Sequence, residues 1–324
     1  MSGAKLRIGI AGAGHFGRYH ALKVAASERA VLAGIYDPDL ERARAIGWEA
    51  GAECMGLEAL LAVCDALIIA APAEAHHELA SAALTAGKHV LVEKPIAATL
   101  AQADELASLA TARGLVLQVG HLERFSAAYG AIAGLMTSPL YIEAMRIAPY
   151  KPRGTDVSVI LDLMIHDLDL ILALVDSPID AVDAVGAAVA SQHEDIANAR
   201  IRFASGAVAT ITASRVSART ERRMRLFAKD GYMAVDFANR SVTVVAQGRG
   251  TPVPGVEGFG IQETSWQDHD SLAAEHAAFV ASVLDGAPVL VDAAAGRRAL
   301  AAALAVIDAM TDAQAKMRAS GLLT

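Results

Sequence analysis

The sequence predicts an α/β protein in two parts: a doubly wound parallel sheet over residues 1–120, then an α+β region over 121–324 with mostly antiparallel strands. Three observations predict it. Short β-branched runs alternate with amphipathic stretches up to residue 120. Beyond it, one long helical pattern gives way to strands separated by turn signals. And 324 residues, 54% of them hydrophobic and 20% charged, suffice for two cores.

Taken in order, Leu6–Ala11, Val31–Tyr36, Asp65–Ala70, His89–Glu93 and Leu115–Val119 read as buried parallel strands, because their apolar runs are continuous rather than alternating. Tyr19–Ala26, Leu40–Ala45, His76–Ala86 and Leu100–Ala112 read as the helices between them. Residues 156–175 carry one helical pattern. Turns then fall at Ala204-Ser205-Gly206, Lys229-Asp230-Gly231 and Ala238-Asn239-Arg240. Strands so closely joined must be antiparallel, since a parallel crossover needs about a dozen residues or more. Residues 248–262 are Gly/Pro-rich and read as a mobile loop, and helices near 269–285 and 292–316 follow.

Composition excludes several classes of function. A formal net charge of −8 leaves no electrostatic footprint for nucleic acid. No apolar run approaches the roughly 20 residues that span a bilayer. The N-terminal Met1-Ser2-Gly3-Ala4-Lys5 passes straight into a strand, so no signal peptide is expected. Cys54 and Cys64 are too few for a disulfide framework or a zinc site, and read as thiols in a cytoplasmic protein.

The chemistry begins after the first strand. Gly12, Gly14 and Gly17 form GxGxxG, with His15 and Phe16 between the last two. Gly12 suits the tight turn, Gly14 the close approach of backbone to a pyrophosphate, and Gly17 the packing of helix on strand. The motif follows a strand and opens a helix, and Asp37 closes the next strand, the place of a carboxylate that bonds ribose hydroxyls. This is a dinucleotide-binding Rossmann pattern. Asp37 would repel a 2′-phosphate, so NAD is expected over NADP, although Arg42 and Arg44 stand on the following helix. Ala70-Ala71-Pro72 closes the strand over 65–70, where cofactor-contacting loops belong, and Pro72 and His76 are placed beside the nicotinamide ribose; for Pro72 a simple helix start is an equal alternative.

Glu93 and Lys94 end the strand His89–Glu93, at the sheet edge where open α/β sheets bind ligand. An ammonium there can steady alkoxide character on a reacting oxygen as hydride leaves. Asp162, His166 and Asp169 stand at i, i+4 and i+7, on one face of an α-helix. A histidine can take an alcohol proton, and a carboxylate can orient it. The plainer alternative leaves Asp167 and Asp169 solvated and His166 a satisfied core group. No metal is expected, because no further His or Cys cluster lies nearby in sequence.

Together these residues resemble the glucose–fructose oxidoreductase / inositol dehydrogenase / rhizopine-catabolism (Gfo/Idh/MocA) family over nearly the whole chain. The matching elements are Gly12 to Gly17, Pro72 to His76, the run Ala86 to Pro95 with its Glu-Lys-Pro, and Asp162, His166 and Asp169. The resemblance implies an NAD(P)-dependent oxidoreductase of CH–OH groups. Lys94 and His166 would be its catalytic pair, with Asp162 orienting substrate or histidine. It implies cofactor contacts at Gly12, Gly14, His15, Phe16, Gly17, Asp37, Ala71, Pro72, His76, Glu93 and Lys94. It also implies an open second-domain sheet that forms a homodimer or homotetramer.

Met164 stands where the family's second motif has glycine, and Val157-Ser158 where a glycine pair is common, which implies a substrate outline other than inositol or a free sugar. The spellings Gly120 to Phe125 and Asp162 to Asp169 are similar to a subgroup acting on UDP-N-acetylglucosamine. Arg124, Arg146, Lys151 and Arg153 gather around the expected domain junction, as a diphosphate would require; ordinary solvated charge is the alternative. Arg124 and Arg153, with Lys94, Asp162 and His166, are the expected substrate contacts. Free-sugar or inositol oxidation, NAD-using glycoside cleavage and non-enzymatic dinucleotide sensing are the competing expectations.

Overall fold

The apolar runs of the first third fold as five parallel strands. The computed structural model describes residues 5–133, 138–151, 155, 157–267 and 269–321. In chain order the first elements are β1 (Leu6–Ala11), α1 (His15–Ala25), β2 (Ala30–Tyr36), α2 (Leu40–Ala50), α3 (Leu57–Val63), β3 (Ala66–Ile69), α4 (Ala73–Thr85), β4 (His89–Glu93), α5 (Leu100–Arg113) and β5 (Leu117–Gly120). A 3₁₀ turn over Leu122–Phe125, α6 (Ala127–Ile132) and β6 (Tyr141–Ile147) follow, then a π-helical turn over Ile160–Met164 and α7 (Ile165–Leu174). The strands β7 (Ile179–Ala187), β8 (Ile196–Phe203), β9 (Val208–Ser214), β10 (Glu221–Ala228), β11 (Gly231–Asp236), β12 (Ser241–Gln247), β13 (Thr251–Pro252) and β14 (Phe259–Ser265) come next, and α8 (Ser271–Asp285) and α9 (Ala293–Ala319) close the order.

The chain forms two compact units, one of residues 1–125 with 270–300, the other of residues 126–269 with 301–324. Where the sequence places one boundary between 120 and 121, the chain instead passes between units after Phe125, His269 and Leu300. The reason is hydrophobic. Phe279 and Val280 of α8 are buried in the same cluster as Leu6, Ile8, Ile10, Ala21, Val24 and Ile35, so the first unit is completed by residues from the far end of the sequence.

In the first unit the sheet order is β2-β1-β3-β4-β5, every pair parallel. The order reverses beside β1, between β1 and β3, and open α/β sheets bind ligands at such a switch point. Helix ends are satisfied locally: Asp39 accepts from the Glu41 and Arg42 amides, and Thr99 with Gln102 forms a capping box.

The second unit holds a nine-stranded sheet, β13-β14-β12-β11-β10-β6-β9-β8-β7. Among the described residues of this sheet, only β6 and β9 pair in parallel. The three turn signals all join antiparallel neighbours: β8–β9, β10–β11 and β11–β12. Alternation is clear in β6, where Ile142, Ala144 and Arg146 are buried and their neighbours are not.

Two expectations are corrected here. Residues 248–262 are not simply loop, since β13 and the start of β14 lie within them and pair with each other. The helix read over 156–175 is not uniformly α: residue 156 lies outside the described residues, and Ile160–Met164 forms a wider π turn before α7.

Candidate active site

The glycines after β1 show what each position requires. Gly12 has φ +106, the left-handed region, and a Cβ there would run into the carbonyl of Ala70 after β3. A Cβ on Gly17 would fall on the carbonyl oxygen of Gly12. Gly14 differs, because a Cβ there meets no protein atom within 4 Å. Turn and helix are thus pressed together at Gly12 and Gly17 while the space over Gly14 is open. Gly14 N-caps α1 without a side-chain hydrogen bond, and the first turn holds no acidic residue. Main-chain N–H groups at that end face a space that suits an anion. The residues present therefore fit a dinucleotide pyrophosphate. His15 and Phe16 are exposed beside it, with His15 packed edge-on against Phe16 and Tyr19.

Asp37 is buried, and its carboxylate is already engaged. Oδ2 accepts from the Ala13 amide at 2.6 Å, inside the glycine motif, and Oδ1 accepts from the Asp39 amide at 2.8 Å. The residue thus ties β2 to the glycine turn. Arg42 donates to Asp37 Oδ1 at 3.2 Å and also pairs with Asp39, so its charge is spent on two carboxylates.

Pro72 immediately precedes α4 with φ −58, the helix-start geometry. His76 is buried, and both of its ring nitrogens meet main-chain carbonyls. Nδ1 lies 2.7 Å from the Pro95 carbonyl oxygen and Nε2 2.9 Å from that of Ala71. The ring clamps the loop after β3 to the loop after β4, so any influence on a cofactor runs through Ala71 and Pro95.

Glu93 and Lys94 stand at the end of β4, and the Lys94–Pro95 bond is cis. Glu93 Oε1 lies 2.9 Å from His20 Nε2, and Oε2 accepts from the Lys94 amide at 3.3 Å. Sequence reasoning did not select two of this strand end's neighbours. His20 sits one turn into α1, on its buried side. His121 follows β5 and is buried, with no hydrogen-bond partner on either ring nitrogen among the described residues. Burial, then the charges of Lys94 and Arg124, push His121 down to about 3, so it stands as a neutral imidazole facing two cations. The signal was available in Gly120-His121-Leu122-Glu123-Arg124, since a histidine directly after a strand end is a site position.

In the second unit, Asp162 lies in the π turn and His166 in the first turn of α7, both half-buried. A π turn often marks a functional site, because it re-aims side chains that an α-helix would stack. The α spacing assumed for Asp162 and His166 is corrected accordingly. Asp167 and Asp169 are buried rather than solvated. Arg146 of β6 grips Asp167 at both oxygens, at 2.8 and 2.9 Å, and so fastens α7 to the sheet. Arg146 is thereby removed from the expected phosphate-binding group. Arg153 lies outside the described residues, and Lys151 is exposed.

The π turn is anchored from behind. Arg215 donates to Asp195 Oδ1 at 2.8 Å and to the Val157 carbonyl at 2.9 Å. Asp195 Oδ2 accepts three main-chain amides, from Val189, Ala190 and Ser191, and these bonds with Arg215 hold its carboxyl below the usual range against the cost of burial. Ser158, expected to alter the substrate outline, accepts at its carbonyl from the Leu161 and Asp162 amides. Met164 is wholly buried, so in place of glycine it fills core rather than facing a ligand.

Comparison with known proteins agrees with this arrangement. The profile of the Gfo/Idh/MocA oxidoreductases, described as having an NAD-binding Rossmann fold, matches residues 6–121, and that of the family's C-terminal domain matches 146–234. The UDP-N-acetylglucosamine 3-dehydrogenase of Acidithiobacillus ferrooxidans is 43% identical over 93% of this chain and 96% of its own. A solved structure of that enzyme superposes with a TM-score of 0.88 at 42% identity, covering 94% of this chain and 97% of the other. The myo-inositol 2-dehydrogenase of Thermotoga maritima is 25% identical over 91% of this chain and 93% of its own. Motifs, sheet orders and sequence likeness converge across both units: the chain belongs to the Gfo/Idh/MocA family of oxidoreductases, and its cofactor is NAD.

Proposed function

We propose that the protein oxidises the 3-hydroxyl of the sugar ring in UDP-N-acetylglucosamine. The carrying observation is the likeness to the A. ferrooxidans UDP-N-acetylglucosamine 3-dehydrogenase over nearly the full length of both chains. Relatives named as inositol dehydrogenases are more remote, at 28% identity over 66% of this chain, 25% over 91% and 35% over 56%. When bound, NAD accepts the hydride from the carbinol carbon. On this reading His166 takes the hydroxyl proton, Asp162 orients substrate or histidine, and the Lys94 ammonium steadies the oxygen as negative charge develops. Arg124 and Arg153 contact the diphosphate. Gly12, Gly14, His15, Phe16, Gly17, Asp37, Ala71, Pro72 and Glu93 serve the cofactor, and His76 serves it by clamping the loops at Ala71 and Pro95.

The buried Asp37 carboxylate supports NAD over NADP, because a 2′-phosphate beside it would meet a like charge. Residues 1–120 are read as the dinucleotide-binding part. Residues 121–324, apart from the 270–300 segment that completes the first unit, are read as the part for substrate and for assembly, through the nine-stranded sheet, into a homodimer or homotetramer. Among the described residues no helix is long and apolar enough to cross a membrane. A cytoplasmic setting is part of the reading, supported by Cys54 and Cys64 as free thiols.

The test is absorbance at 340 nm with NAD and a panel of UDP-sugars, free aldoses and inositols. NADH formed with UDP-N-acetylglucosamine and not with free sugars is the expected result. Signal only with inositol or aldoses would reject the nucleotide sugar, and sugar release without net NADH would mean glycoside cleavage. Lys94→Met and His166→Ala should each lower turnover by a factor of about 10²–10⁴ with NAD binding retained, and normal turnover in both would reject their roles.

A further inference from the structure

Behind the end of β4, beside Glu93, lie three buried polar side chains to which the roles above give no work. They belong entirely to the first unit. His20 comes from α1, Glu93 from β4, and Glu275 and His276 from α8. His20 Nε2 is 2.9 Å from Glu93 Oε1, and His20 Nδ1 is 2.7 Å from His276 Nε2. The two imidazole planes are 10° apart with centroids 5.0 Å apart. With the nitrogens in contact, that separation puts the rings edge to edge in nearly one plane, the geometry of an in-line N–H···N bond. Ligand-type atoms of His20, Glu93 and Glu275 all fall within 4.8 Å of one another. Glu275 is fully buried, and neither of its oxygens has a hydrogen-bond partner among the described residues.

We propose that His20 and His276 are positioning residues, which hold the Glu93 carboxylate in one orientation and so fix the strand end that carries Lys94. The inference rests on the reading of Glu93 and Lys94 as cofactor and substrate residues. Its physical basis is the placement of protons. Two carboxyl groups this close in a buried place cannot both be ionised. Glu93 is the one held by hydrogen bonds, since His20 and the Lys94 amide both meet its oxygens. Glu275 has no such support. Burial, and then the Glu93 charge, push its carboxyl well above the usual range, so it carries the proton. A carboxylate 2.9 Å away requires a proton on His20 Nε2.

His276 stays neutral. Burial, then the neighbouring His20, push it down to about 3, with Lys23 adding to the fall and Asp270 opposing it. The chain therefore runs from α8 through α1 to β4 and ends on Glu93. Space is cleared for it on the far side. A Cβ on Gly120 of β5 would stand 3.0 Å from the Glu93 side-chain carboxyl carbon, so glycine there lets the side chain lie across β5. Gln118 of β5 braces the Glu275 main-chain carbonyl at 3.3 Å. A bare packing cluster at this place would be apolar. Polar side chains in such a place are costly unless they hydrogen-bond one another, as His276, His20 and Glu93 do.

The test compares kcat and KM for NAD in His20→Leu, His20→Gln, Glu275→Gln and Glu93→Ala, with thermal melting of each variant. His20→Leu removes the donor to Glu93 and should lower kcat/KM for NAD by about 10- to 100-fold, while His20→Gln, which restores an N–H, recovers most of the loss. Glu275→Gln keeps a neutral group of the same shape and should stay near the parent. If His20 acts through Glu93, the His20→Leu/Glu93→Ala double variant is no slower than Glu93→Ala alone. Parent activity in His20→Leu, additive losses in the double variant, or a large loss in Glu275→Gln would each overturn the proposal. So would one equivalent of divalent metal in the purified protein that Glu275→Gln removes. Should His20→Leu not fold, His20→Gln and Glu275→Gln still decide. If Glu93→Ala is itself unimpaired, the assignment of Glu93 to the site fails; if it is impaired and His20→Leu is not, only the positioning role fails.

Discussion

Gly14 and Gly17 share one motif and answer to different forces. Gly17 is a glycine because Gly12 leaves no room for a Cβ, and Gly14 because something outside the protein must come close. Gly17→Ala should therefore cost about 1–3 kcal/mol of stability, as overpacking does. Gly14→Ala should leave the melting temperature unchanged and raise KM for NAD. Melting curves and NAD titrations of both variants check the contrast, and equal loss of stability in both would contradict it. His121 and His276 bear on acid stability. Both are pushed down to about 3 from the ordinary 6.5. The unfolded chain takes up these protons near pH 6.5 and the folded chain does not until about 3. Stability is then fully present above pH 6.5 and is lost as pH falls between those values. Carboxylates such as Asp195 act only lower, below the ordinary 3.8, while Glu275, protonated in the native state, opposes the two histidines above pH 4.5 with one proton against two. Melting temperature should thus already fall between pH 6.5 and 4.5, with a shallower slope in His121→Asn. A flat profile there would mean that His121 and His276 are protonated in the native state.

Helix α7 shows how an element is held for its work. Its bidentate pair, Arg146 with Asp167, has side chains only 6% and 3% exposed. Breaking such a pair from one side leaves a buried charge, so Arg146→Ala should destabilise by about 3–5 kcal/mol. The pair Arg29–Asp285, half exposed on both sides and screened by solvent, should contribute far less by the same assay. Denaturant unfolding of Arg146→Ala and Arg29→Ala checks the difference. The sequence displayed β1 to β5 well because strands buried on both faces read as unbroken apolar runs. It did not display α3, whose seven residues are too few to show a helical period. Nor did it display the π turn: over five residues a wider helix and an α-helix leave the same pattern, so the spacing of Asp162 and His166 looked regular. β14 was hidden by Gly255 and Gly258 before it and Gly260 within it. In the site, the glycine motif, Asp37, Glu93 and Lys94 were visible because their partners are local or at strand ends. His20 and His276 were not, since they lie 256 positions apart.

Across the whole molecule, the unit built on the parallel sheet is discontinuous in sequence. A fragment of residues 1–120 contains every strand of the five-stranded parallel sheet yet lacks Phe279 and Val280, which are buried against β1 and α1 in the intact chain. That fragment should bind a hydrophobic dye and lose cooperative unfolding, whereas the full chain should not bind the dye. A cooperative, dye-free fragment would show that α8 is dispensable to the core. The same arrangement has a consequence during synthesis on the ribosome. All five parallel strands leave the exit tunnel long before α8 exists, and at about 5–20 residues per second the gap lasts roughly 8–30 s. For that interval the nascent chain displays the apolar seat of Phe279 to the cell. Chaperone demand should therefore be set by how quickly the ribosome reaches residue 285, so that synonymous codons which slow translation between 126 and 270 lower the yield of folded protein without altering one amino acid.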